Sequence, residues 1–414
     1  MQLLKMIFGE KSPPASLGPV DFDAIKKAVK AQGEDAALRF IKKGMDFSPV
    51  VDEKGNTLLT WAASCPHLKI ARKLIDCGAD PNQRGDHGAP PIVVAGIIGD
   101  IPTLSLLLKK GATIDAASAG VTAIMRAAQN NHHEAIDFLA GKGANIDAQA
   151  DYHRSTALFW AARGGHREAL HALIRHHAGL DIADSDGMTP LHEAIRSCRM
   201  DPAQALLAAG ANVDARNKNG STPLMFAGAQ YGPGEDCTRM LIKCRAKLDL
   251  QNEFGETALM WAVTDGSEKS ALALIEAHAD LNLQDVNGNT ALMRAINHGQ
   301  RDAAKAMIAK GTRSNVKNNA GQTALFWAAT KGDAEIVGLL LAAGADPLAV
   351  DAEGRTALSY LGDKSPEALK ILAPAEEKSR ALRERAYSEG ATVLKSDVRL
   401  HHPLQLKKRA AQKL

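Results

Sequence analysis

One phrase recurs along this chain and limits what it can fold into: Gly-x-Thr, then Pro or Ala, then Leu, with an Ala close behind. It stands as GNTLLTWAA from Gly55, GVTAIMRAA from Gly120, GMTPLHEAI from Gly187 and GSTPLMFAG from Gly220. It returns as GETALMWAV from Gly255, GNTALMRAI from Gly288, GQTALFWAA from Gly321 and GRTALSYLG from Gly354. Two copies are degenerate, GAPPIVVAG from Gly88 and RSTALFWAA from Arg154. The ten anchors lie 33, 32, 34, 33, 33, 35, 33, 33 and 33 residues apart. A unit of that length cannot bury its apolar face alone, so successive copies must stack, and the array grows without one central core.

Each column of the phrase has a physical role. Thr ahead of a helical apolar pattern is an N-cap, and Pro190 and Pro223, with Pro91 in a degenerate copy, suit the first helical turn. A second phrase closes the units: CGADPN at 77–82, KGATID at 110–115, KGANID at 142–147, AGANVD at 209–214 and AGADPL at 343–348. Its Gly follows the second helix, where a left-handed C-cap is common. The Ala column (Ala62, Ala95, Ala127, Ala161, Ala194, Ala227, Ala262, Ala295, Ala328) keeps side chains small where neighbouring helices approach.

Both phrases and their period resemble the ankyrin repeat family. The resemblance covers roughly residues 21–374, with Phe22–Phe47 as an N-terminal half-unit that lacks the anchor phrase. It implies an all-α solenoid of stacked helix-turn-helix units with hairpin-like turns. About eleven layers at roughly 8–10 Å spacing would run about 100 Å. It also implies a protein partner, bound along the concave face that the first helices line. Residues 1–20 read as a leader and 375–414 as a basic tail, partly helical or disordered.

Five departures, in repeats two, four and six, mark the weaker joints. Pro90 replaces the capping Thr of repeat two, and Arg154 replaces the anchor Gly of repeat four, whose closing phrase shifts to HAGLD at 177–181. Repeat six carries an insertion, Tyr231 to Asp236, and Arg245 stands where its C-cap Gly belongs.

Net charge is +3, of which residues 375–414, with ten Lys/Arg against five Asp/Glu, hold +5. The other 374 residues therefore sum to −2, which excludes a whole-surface polyanion binder, and no nucleic acid partner is expected. Five scattered cysteines (Cys65, Cys77, Cys198, Cys237, Cys244) form no C-x-x-C pair, so a reducing compartment and a cytoplasmic protein are expected. MQLLKMIFG at the N-terminus, interrupted by Lys5, is too short for a secretory signal core, and no stretch reaches the roughly 18 apolar residues of a membrane span. The tail ends in a basic cluster, Lys407 to Lys413. It reads as a solvated end, with a docking peptide, a contact for anionic surfaces or a bacterial secretion address as alternatives. Residues 390–414, which leave the period, are expected to pack poorly.

No catalytic, metal or cofactor chemistry is legible. His192 sits in TPLHEA, and His132 and His166 open second helices, positions where the family itself has His. There is no H-E-x-x-H, and no phosphate-loop or nucleophile motif in a strand–helix context. An acidic and Asn column (Asn82, Asp115, Asp147, Asp181, Asp214, Asp249, Asn282, Asn315) occurs once per repeat, so its members do not converge on one ion. Hydrogen bonds to nearby amides within the turn are expected of it. The function expected is therefore a monomeric protein-interaction scaffold with no enzyme activity. A secreted bacterial-type effector using the same solenoid on another cell's proteins is the alternative.

The candidate binding face is the position four residues after the capping Thr. All four tryptophans occupy it, Trp61, Trp160, Trp261 and Trp327, with Phe226 and Tyr360, while Arg126, Glu193 and Arg294 take it elsewhere. At about 100° per residue the core of the first helix centres near 190° and this column falls near 40°. The rings should leave the core, and Trp, Tyr and Arg are the residues that dominate binding hot spots. Lateral cover by neighbouring repeats is the competing reading.

Overall fold

The structure, a computed structural model, describes residues 21–47, 51–53, 55–65, 67–85, 88–229, 234–264, 267–362 and 365–388. The leader, most of the tail and residues 231–233 of the insertion lie outside that set. Among the described residues every regular element is a helix. The chain divides into two compact units, 1–286 and 287–414.

The first unit begins with helix Phe22–Gln32, capped by Asp21, whose carboxylate accepts the Ala24 amide at 2.9 Å. Seven anchored repeats follow. Their first helices are Leu58–Ser64, Pro91–Ile98, Ala123–Gln129, Ala157–Gly164, Pro190–Arg196, Pro223–Gly228 and Ala258–Thr264. Each is followed by a nine-residue second helix, from Leu68–Asp76 to Glu268–Glu276. The second unit holds three repeats, with first helices Ala291–Asn297, Ala324–Lys331 and Ala357–Leu361.

Five of the Thr caps are as the sequence predicts, while the Thr122 and Thr323 hydroxyls are buried without a partner. Thr57, Thr156, Thr189, Thr257 and Thr290 accept the amide three residues on. Pro90 offers no side-chain cap, and Pro91 fills the first helical position, where a missing N–H costs nothing. Within each unit first helices stack on first helices and second on second. All nine members of the Ala column have no exposed surface, so any larger side chain there would force the layers apart. The Leu or Ile two after the anchor Thr is at most 3 % exposed in repeats one to nine, each contributing about 1.5–3 kcal/mol of apolar burial. Where glycine is missing, the backbone keeps its conformation. Arg154, His177 and Arg245 hold φ of 51°, 61° and 62°, a left-handed setting that costs an L-residue about 1–2 kcal/mol.

The acidic and Asn column does something other than the local turn expected of it. Its side chains accept amides of the next repeat. Asn82 takes the Thr113 amide (2.8 Å), Asp115 that of Asn145 (2.9 Å), Asp147 that of Gly179 (2.8 Å) and Asp181 that of Asn212 (3.0 Å). Asp214 takes Lys247 (2.8 Å) and Asp249 takes Asp280 (2.8 Å); in the second unit Asn315 takes Asp346 (2.7 Å). The local turn is held instead by residues two positions earlier, such as Asp80, Asn145 and Asn212. A second ladder joins the hairpin tips. In the first unit the amides of Asp151, Ser185, Lys218, Glu253 and Val286 donate to the carbonyls of Ala119, His153, Asp186, Asn219 and Phe254.

The histidines belong to the same interlayer bonding. His132 Nε2 meets the Ile97 carbonyl and His166 Nε2 the Gln129 carbonyl, each at 2.9 Å. The tail's first part is helical, and the helix Pro366–Ser388 runs through Pro374, across the boundary drawn at 374. It is pinned to the second unit by Glu376, which is 6 % exposed and accepts from Thr356 Oγ1 (3.1 Å) and Arg380 (2.9 Å). Arg383 also reaches Asp346 at 2.6 Å. The apolar columns therefore end later than the anchor phrase does.

His192 is fully buried. The Thr189 amide donates to its Nδ1 (3.2 Å), and its Nε2–H donates to the Ser221 carbonyl (3.1 Å), which fixes one neutral tautomer. Burial lowers its pKa from 6.5 to about 4, only partly opposed by the backbone carbonyls it meets. Below pH 6.5 the unfolded chain takes up a proton that the folded chain refuses. The stabilisation is thus complete above pH 6.5 and is lost as pH falls from there to about 4, some ~3 kcal/mol in all. Met stands at this position in repeats three, six, seven and eight. We expect the urea midpoint of the wild-type array to fall over that pH window and His192→Met to flatten the fall; an unchanged profile in the variant would place the titration elsewhere.

Candidate functional site

Within each unit, one side chain per repeat, four residues after the anchor Thr, leaves the first helix toward the same flank. In the first unit these are Trp61, Val94, Arg126, Trp160, Glu193, Phe226 and Trp261; in the second they are Arg294, Trp327 and Tyr360. None of them stands free in solvent. The rings are half-buried, because the neighbouring layer lies close enough to cover one edge.

The cover differs from ring to ring. Trp61 meets Phe22 edge-on at 5.9 Å and His67 at 5.0 Å. Phe226 lies between His192 (5.8 Å) and Trp261 (5.5 Å), both T-shaped. Trp261 also donates its indole N–H to Glu256 at 2.8 Å. Tyr360 packs edge-on against Phe326 and donates its hydroxyl to Asp351 at 2.6 Å. Burial opposes the charge on Asp351, but the bonds from Tyr360 and Arg355 outweigh it and hold the carboxyl well below its usual range. Trp160 and Trp327 are different: each indole nitrogen is enclosed by protein without a hydrogen-bond partner.

Glu193 departs furthest from the expected exposed face, at 1 % exposure. It is roofed by Arg196, which donates from Nε (3.0 Å) and Nη2 (2.7 Å), and it accepts from Ser197 Oγ at 3.0 Å. A buried carboxylate needs such partners to stay charged. Arg163 stands 3.6 Å from Glu193, too far for a hydrogen bond, and its guanidinium lies 5.7 Å from the Trp160 ring.

These groups form one wall of a cleft of about 570 Å3 across repeats four to six. The opposite wall is made by the hairpin tips, with Asp184, Asp186 and Lys218; Phe226 and Met188 line its floor. The binding column predicted from sequence contributes only Glu193 and Phe226 to this cleft. Arg163, Arg196 and the tip residues were not among the sequence candidates. The available signal was that repeats four and five alone carry Arg seven residues after the anchor position, where other repeats have Ser, Ile, Gln, Ala, Thr, Asn or Asp. Further along the tips Phe254 and Val286 are more than half exposed and adjacent, and Tyr152 is 85 % exposed.

Among the described residues no three His, Cys, Asp or Glu side chains group to hold a metal ion, and no helix is long and apolar enough to cross a membrane. None of the five cysteines is in a disulfide; burial pushes the Cys237 thiol up to about 12, so it is not an activated nucleophile.

Sequence comparison gives a consistent picture. The profile described as ankyrin repeats in three copies matches residues 83–150, 149–217, 198–285, 224–318 and 292–381, and that of the single ankyrin repeat matches 54–86. A Danio rerio protein named as a palmitoyltransferase, ZDHHC13, is 40% identical over 129 residues, 31% of this chain and 20% of that protein. The human SH3 and multiple ankyrin repeat domains protein 2 is 28% identical over 198 residues, 47% of this chain and 11% of that protein. Neurogenic locus notch homolog protein 1 of Xenopus tropicalis is 30% identical over 200 residues, 48% of this chain and 7% of that protein. The chain thus matches a fifth or less of each relative's length.

The two tryptophans with contrasting surroundings separate packing from exposure. Trp261→Ala removes an aromatic pair and a charge-assisted hydrogen bond, and Trp160→Ala removes neither. Thermal melting should show Trp261→Ala costing roughly 1–2 kcal/mol more than Trp160→Ala. Equal losses would mean that the column packs uniformly.

Proposed function

The chain belongs to the ankyrin repeat family, and from that premise we propose that it is a protein-interaction scaffold whose recognition surface is the first-helix column and cleft of repeats four to six. One observation carries the choice of this stretch. Arg163 presents an exposed guanidinium with no hydrogen bond to the chain, stacked over the half-buried Trp160 ring. Elsewhere in the column, rings such as Trp261 and Tyr360 are already bonded to their own array. Unused donors on a half-buried aromatic surface are what a partner's acceptors can satisfy, and Trp and Arg are enriched where binding energy concentrates.

In this reading Trp61 and Arg126 extend the surface within the first unit, and Arg294, Trp327 and Tyr360 form the corresponding column of the second unit. Thiols outside any disulfide suit a reducing compartment, and we place the protein in the cytoplasm as a monomer. In this reading the array offers donors and rings to a partner and performs no chemistry of its own. The transferase activity in the name of the zebrafish relative is not carried over, since the match covers a fifth of that protein.

Crosslinked capture from cells with the full chain as bait tests this reading. Partners retained by the wild type should be lost with Trp160→Ala and with Arg163→Gln, and kept by a variant lacking residues 390–414. Retention by both substitutions, with loss on removing the tail segment, would move recognition away from the solenoid.

A further inference from the structure

The charges of the cleft across repeats four to six sum to zero but are not evenly spread. On the first-helix wall two guanidiniums, Arg163 and Arg196, share the single carboxylate of Glu193, and Arg196 takes both of its oxygens. That wall therefore holds one positive charge in excess, on Arg163, whose side chain is 53 % exposed. The hairpin wall has the opposite excess. Asp184 and Asp186 face one ammonium, Lys218, whose backbone amide is tied to the Asp186 carbonyl at 3.0 Å. Asp184 uses one carboxylate oxygen to hold the turn, accepting the Asp186 amide (2.8 Å) and the Met188 amide (2.9 Å). Its charge is incidental to that job, because Asn217 and Asn252 hold the equivalent turns of the next two repeats with a neutral side chain.

The charge that shapes the cleft is thus not required by the fold on either side. Gln129 stands in repeat three where Arg163 stands in repeat four, and Asn stands in repeats six and seven where Asp184 stands in repeat five. A cleft polarised across its width, with Phe226 and Met188 along its floor, is complementary to a segment polarised the other way. Two walls of opposite sign also discriminate, since a segment of uniform charge is attracted by one wall and repelled by the other.

We propose that this cleft binds an extended segment of a partner protein that places an acidic side chain on Arg163, where that guanidinium stacks on the Trp160 ring, and a basic side chain against the Asp184–Asp186 turn. An apolar residue of the segment covers Phe226. The inference rests on the reading of this surface as the recognition face, and it specifies the chemistry of the occupant. The carboxylate completes the free donors of Arg163 in the forked geometry that guanidinium favours.

Selection of random twelve-residue peptides on the full-length protein tests it. Wild-type protein should enrich peptides carrying an acidic and a basic residue within a few positions of each other, several-fold over the starting library. Arg163→Gln should remove the acidic preference and keep the basic one. The double variant Asp184→Asn, Asp186→Asn should do the reverse, with melting unchanged in both because the array already uses Gln and Asn at the Arg163 and Asp184 positions. Binding of a selected peptide should weaken about tenfold in either variant and fall with added salt. Peptides that bind, are lost with Trp160→Ala and show no charge pairing would overturn the inference and leave the recognition face standing. Peptides whose binding is indifferent to Trp160→Ala and to all the charge variants would overturn both.

Discussion

A layer of this array is two short helices and a turn, and it has no means of closing its own surface. What fixes one layer on the next is a hydrogen bond from a backbone amide to an Asp or Asn side chain one repeat earlier. Six such bonds, from Asn82 to Asp249, run through the first unit at 2.8–3.0 Å. Each contributes about 1 kcal/mol, more where the acceptor is charged. The geometric effect is larger than the energy. The bond sets the translation between layers, the hairpin ladder sets it again on the other edge, and the Ala column lets the first helices approach to the distance both require. In a quasi-one-dimensional array, stability is a sum of units and interfaces, so these recurrent bonds determine how far order spreads.

Function is built in the positions this frame leaves free. Anchor, Ala and Leu columns are nearly invariant within the chain, whereas the positions four and seven after the anchor Thr range over aromatic, aliphatic, hydroxyl, amide, acidic and basic side chains. The frame presents those side chains at fixed intervals, so a cleft can be assembled from three repeats without any one repeat containing it. Glu193 illustrates the coupling. It is buried beneath Arg196 with Arg163 alongside, and this arrangement leaves Arg163 with donors to spare.

Period, caps, small-residue column and the all-helical stacking were legible in the sequence because each is a local rule repeated nine or ten times. The Asp and Asn column was legible as a column but was assigned to the wrong partner. A one-dimensional pattern shows that a side chain recurs, and the amide it accepts lies about thirty residues away. The tryptophan column followed the same logic. Helical angle showed that the rings leave the core, while the edge contacts of Trp61, Phe226 and Trp261 depend on the adjacent layer. The cleft was not found because its two walls come from the first helices of repeats four and five and the hairpin tips of repeats five and six. The reach of the last helix past Pro374 was hidden by the end of the anchor phrase, although Leu372 and Glu376 continue its buried stripe by one turn.

That the interlayer amide bonds, and not helix packing alone, hold the register can be measured at a single amide. Amide hydrogen exchange at Gly179 tests it most directly, since that amide is bound by Asp147 of the preceding repeat at 2.8 Å. In Asp147→Ala the Gly179 amide should exchange roughly tenfold faster, equivalent to about 1.4 kcal/mol. Amides inside helix Arg167–Arg175 should keep their protection at that pH and temperature. An unchanged rate at Gly179, with the array as stable as the wild type, would contradict the account.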